Sequence, residues 1–109
     1  MRIAIFGKAV SPSDAEALRL ALARVLQLDP EAWISQPYLA ALGDHLSVPR
    51  AFVPFDGEVP EGTEVLLAFG GDGTVLEAAT MVRRGTVPIL GVNTGRLGFL
   101  SNVSMEEFD

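Results

Sequence analysis

The sequence predicts an open, mostly parallel α/β sheet flanked by helices, and three observations carry that prediction. Apolar runs at Arg2 to Phe6, Val65 to Phe69 and Val87 to Val92 read as strands buried on both faces. Segments with apolar residues at helical spacing alternate with them, the pattern of a parallel sheet joined by right-handed crossovers. Two glycine-rich segments, 70–74 and 93–98, follow strands directly. In open α/β sheets ligands bind beyond the C-terminal strand ends, so both segments are expected on one edge, facing one ligand.

Arg2 to Phe6 is apolar enough to lie centrally in the sheet. The following Gly7-Lys8 suggests a Walker loop, but Arg2 stands where that pattern needs glycine and Ala9 where it needs Ser or Thr. Lys8 reads as a solvated lysine within reach of a phosphate. Ser11 to Glu16 opens a helix, with Ser13 and Glu16 spaced as a capping box. Ala15, Leu18, Leu22, Val25 and Leu26 form the apolar face of that helix, which Asp29-Pro30 ends.

Ala32 to Ile34 is expected as a short strand, and Pro37 to Leu46 as a short helix with proline in its first turn. Trp33 and Tyr38 read as packing residues. Arg50 to Phe55 has strand-like alternation, and Pro54 puts it near a sheet edge. Asp56 to Gly62 is a surface loop. The last helix start, Ser104 with Glu107, runs into the final residue, Asp109.

The stretch Gly70-Gly71-Asp72-Gly73-Thr74 joins the most strand-like run to a helix. Thr74 and Glu77 are spaced as a capping box, so the helix is expected to begin at the loop. Val75, Ala78, Ala79 and Val82 would supply its apolar face, Arg83 and Arg84 its last turn, and Gly85 its C-terminal cap. Glycines before a helix allow positive φ and close ligand approach, and free N–H groups at a helix N-terminus favour phosphate. Asp-Gly between apolar segments is also a hairpin signal; the helical period downstream argues against it. Asp72 beside a phosphate would be repulsive unless it takes a proton or holds a metal.

Composition narrows the partners. The 109 residues suffice for one domain with one core, and 49% hydrophobic with 20% charged residues is an ordinary globular balance. A net charge of −6 opposes nucleic-acid binding. The chain has no cysteine, and its single histidine, His45, is expected exposed at a helix end, so no metal site is expected. The N-terminal apolar run is too short for a signal peptide or membrane span, so no membrane partner and a cytoplasmic location are expected.

Gly70-Gly71-Asp72-Gly73-Thr74 resembles the GGDGT loop of the NAD kinases, and Asn93-Thr94-Gly95-Arg96-Leu97-Gly98-Phe99-Leu100 resembles that family's second N-terminal motif. Lipid kinases and phosphofructokinases carry loops like the first; the pair, separated by one helix and one strand, is more specific. The resemblance implies a Rossmann-like, phosphofructokinase-like N-terminal domain spanning 1–109, with the family's β-rich C-terminal domain absent from these residues. It implies phosphoryl transfer from ATP or polyphosphate to the 2′-hydroxyl of the adenosine ribose of NAD, giving NADP, with Mg²⁺ carried by the nucleotide.

By the same resemblance Asp72 is the proton acceptor, and Gly71, Gly73 and Thr74 line the phosphate loop. Phe99 lies on the adenine side and Asn93 supports the second loop. The full-length enzyme is expected to be a homo-oligomer, and this segment alone to be inactive. A lipid or sugar kinase sharing the loop, and a non-catalytic nucleotide-binding module, are the alternatives.

Overall fold

The computed structural model describes residues 1–8, 10–70, 72–82, 87–93 and 98–99, with the backbone alone at 72, 93, 98 and 99. Among these residues the strands are β1 (Ile3–Gly7), β2 (Trp33–Ser35), β3 (Val53–Phe55), β4 (Val65–Gly70), β5 (Ile89–Asn93) and β6 (Gly98–Phe99). They form one sheet in the order β3-β2-β1-β4-β5-β6. β1 to β5 are parallel, and β6 returns antiparallel to β5. The helices are α1 (Ala15–Leu28), α2 (Gln36–Gly43) and α3 (Asp72–Ala79).

The strand order follows from two walks. The chain builds outward from β1 through β2 to β3, then returns to lay β4 against the free side of β1 and builds the other way. The point where the direction reverses lies between β1 and β4. In open α/β sheets a crevice forms there, because the connections on the two sides leave over opposite faces.

Alternation along the strands divides the core accordingly. Side chains of successive strand residues point to opposite faces, so Ile3 and Ile5 of β1 and Leu67 and Phe69 of β4 pack with Leu18, Leu22 and Val25 of α1. Ala4, Phe6, Leu66 and Ala68 pack instead with Ala78 of α3. Both faces of β1 and β4 are covered, which is why these runs are continuously apolar. β3, at the edge, carries Pro54, whose missing N–H is harmless only where no further strand pairs.

Asp29 closes α1 and does more than end it. Its side chain is 3% exposed. One carboxylate oxygen accepts from the buried Ile3 N–H at 2.9 Å; the other accepts from the Glu31 N–H at 3.1 Å and from Arg2 Nη1 at 3.3 Å. The guanidinium of Arg2 also lies 4.3 Å from the Trp33 ring centroid. These bonds fix the N-terminal end of β1 against the end of α1.

One helix start and one helix end differ here from the sequence expectation. A 3₁₀ turn, Pro12–Asp14, precedes α1; Asp14 is the cap residue and makes no side-chain cap bond. Ser13 Oγ pairs with Ser11 Oγ, and Glu16 takes the Arg19 guanidinium, so the Ser13–Glu16 capping box does not form. α3 ends at Ala79, where Thr80 Oγ1 donates to the Glu77 carbonyl and i→i+3 bonds tighten the exit. Val82 still packs on the sheet from the following turn, whereas Ala79 is exposed. Arg83, Arg84, Gly85, Ser104 and Glu107 lie outside the described residues. His45 is exposed just beyond α2, as expected.

Tyr38 of α2 is 1% exposed and lies 6.2 Å, centroid to centroid, from Phe69. Burial, and after it the Asp14 carboxylate, push its phenol above the ordinary value. A folded-state value above the unfolded one means that stability is full below the unfolded pKa of about 10 and falls as pH rises past it. Urea midpoints measured from pH 8 to 11 should therefore drop above pH 10, and Tyr38→Phe should flatten that drop.

Candidate functional site

The site is built at the C-terminal ends of β1 and β4, at the reversal point of the sheet. Gly7 and Phe69 are register partners there, and so are Gly70 and Asn93 on the next pair. Asn93 in turn pairs with Gly98 of β6, so Gly70, Asn93 and Gly98 form one row across three strands. The beginning of each glycine-rich motif is thus brought beside the other.

Gly70 has φ +153°, in the range favouring glycine, and a Cβ there would collide with the Thr74 side chain, 3.0 Å from its Cβ. Thr74 is buried against that bare backbone. This overturns the second capping box. α3 begins at Asp72, so Thr74 sits inside its first turn with its side chain folded over Gly70. Glu77, the other half of the expected box, pairs with Lys8 Nζ at 3.0 Å. The hairpin alternative is excluded as well, because β4 and β5 are parallel and α3 follows the loop.

Gly73 contrasts with Gly70. It is exposed in the first turn of α3, and a Cβ built on it meets nothing within 4 Å. Among the described residues, packing therefore leaves the space beside it open. The early N–H groups of a helix lack intrahelical partners, so this turn offers donors beside an open approach. Asp72 is the first residue of α3, Asn93 the last of β5, and Phe99 is in β6 opposite Val92. Gly71 and residues 94–97 lie outside the described residues.

The edge of β1 contributes what the sequence reading left aside. Gly7 is locked by packing, since a Cβ there would run into the Tyr38 ring, 2.5 Å from Cζ. Lys8 follows it and reaches across to α3 through Glu77, with side-chain exposures of 54% and 46%. Lys8 is solvated, as expected, and also paired. It is the only lysine in the chain, a signal the sequence does offer. Among the described residues no three His, Cys, Asp or Glu side chains gather as a metal site, and no helix is long and apolar enough to cross a membrane.

Comparison with known proteins decides the family. Residues 14–109 match the ATP-NAD kinase N-terminal domain. The chain belongs to the NAD kinase family. It is 34% identical to the NAD kinase of Flavobacterium psychrophilum over 111 residues, covering 100% of this chain and 38% of that protein. The NAD kinase of Porphyromonas gingivalis is 31% identical over 106 residues, covering 97% of this chain and 37% of that protein. Against the NAD kinase of Mycobacterium bovis the identity is 41% over 71 residues, covering 65% of this chain and 22% of that one. The chain thus spans well under half the length of these relatives. No solved structure matches it.

Gly70 and Gly73, two of the three glycines of this loop, make opposite predictions. Gly70→Ala should lower stability by roughly 1–3 kcal/mol, because it overfills a packed contact at positive φ. Gly73→Ala should leave stability unchanged or raise it slightly, alanine being the better helix former by about 1 kcal/mol. Thermal melts of the two variants check both halves.

Proposed function

We propose that this chain is the nucleotide-binding N-terminal part of an NAD kinase, which transfers a phosphoryl group from ATP or polyphosphate to the 2′-hydroxyl of the adenosine ribose of NAD. The observation that carries the reading is the register row Gly70–Asn93–Gly98, which brings residues of the two NAD kinase motifs side by side across β4, β5 and β6, starting from the β4 edge of the reversal point. Family membership favours NAD over the lipid and sugar acceptors served by similar loops.

The chemistry divides among few groups. Asp72 accepts the proton of the 2′-hydroxyl as its oxygen attacks the terminal phosphorus and the bond to the leaving phosphate breaks. A secondary alcohol needs that base, while the phosphoryl group needs mainly positioning and neutralisation of charge. N–H groups of the Gly71 to Thr74 turn bind phosphate, and Mg²⁺ enters with the nucleotide. Asn93 supports the second loop and Phe99 borders the adenine. The remainder of the longer protein completes the NAD site from a second, β-rich domain, and the whole enzyme acts in the cytoplasm as a homo-oligomer.

The test is Asp72→Asn in the full-length enzyme. The substitution keeps the shape and removes the proton acceptor, so turnover should fall roughly 10²–10⁴-fold while NAD affinity falls less and the melting temperature holds. Near-normal turnover would remove Asp72 from the role of base.

A further inference from the structure

The acidic balance of the chain poses a problem for the proposed site. The net charge is −6, and the carboxylate-bearing residues Asp72 and Glu77 both lie on the helix that follows the phosphate loop. A triphosphate approaching this edge meets repulsion that free N–H groups offset only in part. A protein cation at the C-terminal ends of β1 and β4 would offset what the nucleotide's own Mg²⁺ leaves. Arg2 is at the opposite end of β1, held by Asp29 and Glu31, and Arg19 is tied to Glu16 on α1. Lys8 is the described cation that directly follows a strand at this edge.

We propose that Lys8 is a phosphate ligand for the phosphoryl donor, exchanging Glu77 for the donor's phosphate chain when that chain binds. The proposal rests on the kinase reading and assigns it a further binding residue. Glu77 lies five residues beyond Asp72 on α3, about 7–8 Å along the helix axis. An ammonium that reaches Glu77 Oε1 at 3.0 Å thus comes within a lysine side chain's sweep of the first turn of α3. Both partners are about half exposed, and an exposed pair of this kind is weak, so release from Glu77 costs little. Charge-assisted bonds from an ammonium to phosphate oxygens are stronger. Gly7, fixed under the Tyr38 ring, gives the lysine a rigid base. Lys8 takes no covalent part; it neutralises charge on the donor.

The rival account is that the pair only pins the end of β1 to α3. The two accounts separate in the full-length enzyme with Lys8→Met, Lys8→Arg and Glu77→Gln. A pin predicts that Lys8→Met and Glu77→Gln behave alike, because each breaks the same ion pair. A phosphate ligand predicts that Lys8→Met raises KM for ATP tenfold or more with KM for NAD within twofold, that Lys8→Arg recovers most of the loss, and that Glu77→Gln leaves KM for ATP unchanged or lowers it. Equal effects of the two variants, or an unchanged KM for ATP in Lys8→Met, would overturn the proposal.

A readout independent of turnover uses the fact that Lys8 is the chain's only lysine. An amine-acylating reagent, with peptide mass mapping, should label Lys8 faster in Glu77→Gln than in the wild type. Inorganic tripolyphosphate should protect Lys8 in both. Protection without any NADP formation would sink the kinase reading and keep the phosphate ligand; normal turnover without protection would do the reverse.

Discussion

The pairing of β1 with β4 is the constraint on which the rest depends. Five consecutive register partners, from Ile3 with Val65 to Gly7 with Phe69, join residues 62 apart in sequence, with α1, β2, α2 and β3 between the two strands. Because side chains alternate, this register commits Ile3, Ile5, Leu67 and Phe69 to the face covered by α1, and Ala4, Phe6, Leu66 and Ala68 to the face covered by α3. A slip of one residue would exchange the faces of every side chain. The same register brings Lys8 and the Gly70 loop to one edge, so the core and the candidate site are consequences of one alignment.

Glycine serves this edge in different ways. Gly7 and Gly70 are required by contacts within the protein, one with the Tyr38 ring and one with Thr74, and their bare backbones let neighbouring side chains close the wall behind the site. Gly73 meets no such contact among the described residues and leaves the front open there. Among the described residues the wall is packed and the approach clear, which suits the positioning that the proposed phosphoryl transfer calls for.

The fold was legible in the sequence wherever burial is two-sided or an edge is marked. The runs in β1, β4 and β5 announce central parallel strands, and Pro54 announces the rim. The order of the two glycine motifs, each directly after a strand, was enough to anticipate a shared edge, which the Gly70–Asn93 pairing bears out. The two expected capping boxes that fall on described residues failed because neither Ser13 nor Thr74 is the cap: Asp14 caps α1, and α3 already begins at Asp72. The glutamates pair elsewhere, Glu16 with Arg19 one turn on and Glu77 with Lys8 just beyond the end of β1. Asp29 read only as a helix stop, yet it holds the start of β1 through the Ile3 N–H. Local spacing carries no information about such distant partners, and the same limit hid the contact between Gly7 and Tyr38.

The central claim is that ligand binds at the reversal point between β1 and β4, with the open first turn of α3 facing it. An amide-resolved NMR titration of the full-length protein with NAD and with ATP tests it most directly. The account predicts that the largest shifts fall on the amides of Lys8, Gly70, Asp72, Gly73 and Asn93. Shifts confined to the opposite end of the sheet, at Arg2, Glu31 and Glu64, with those amides unmoved, would contradict it.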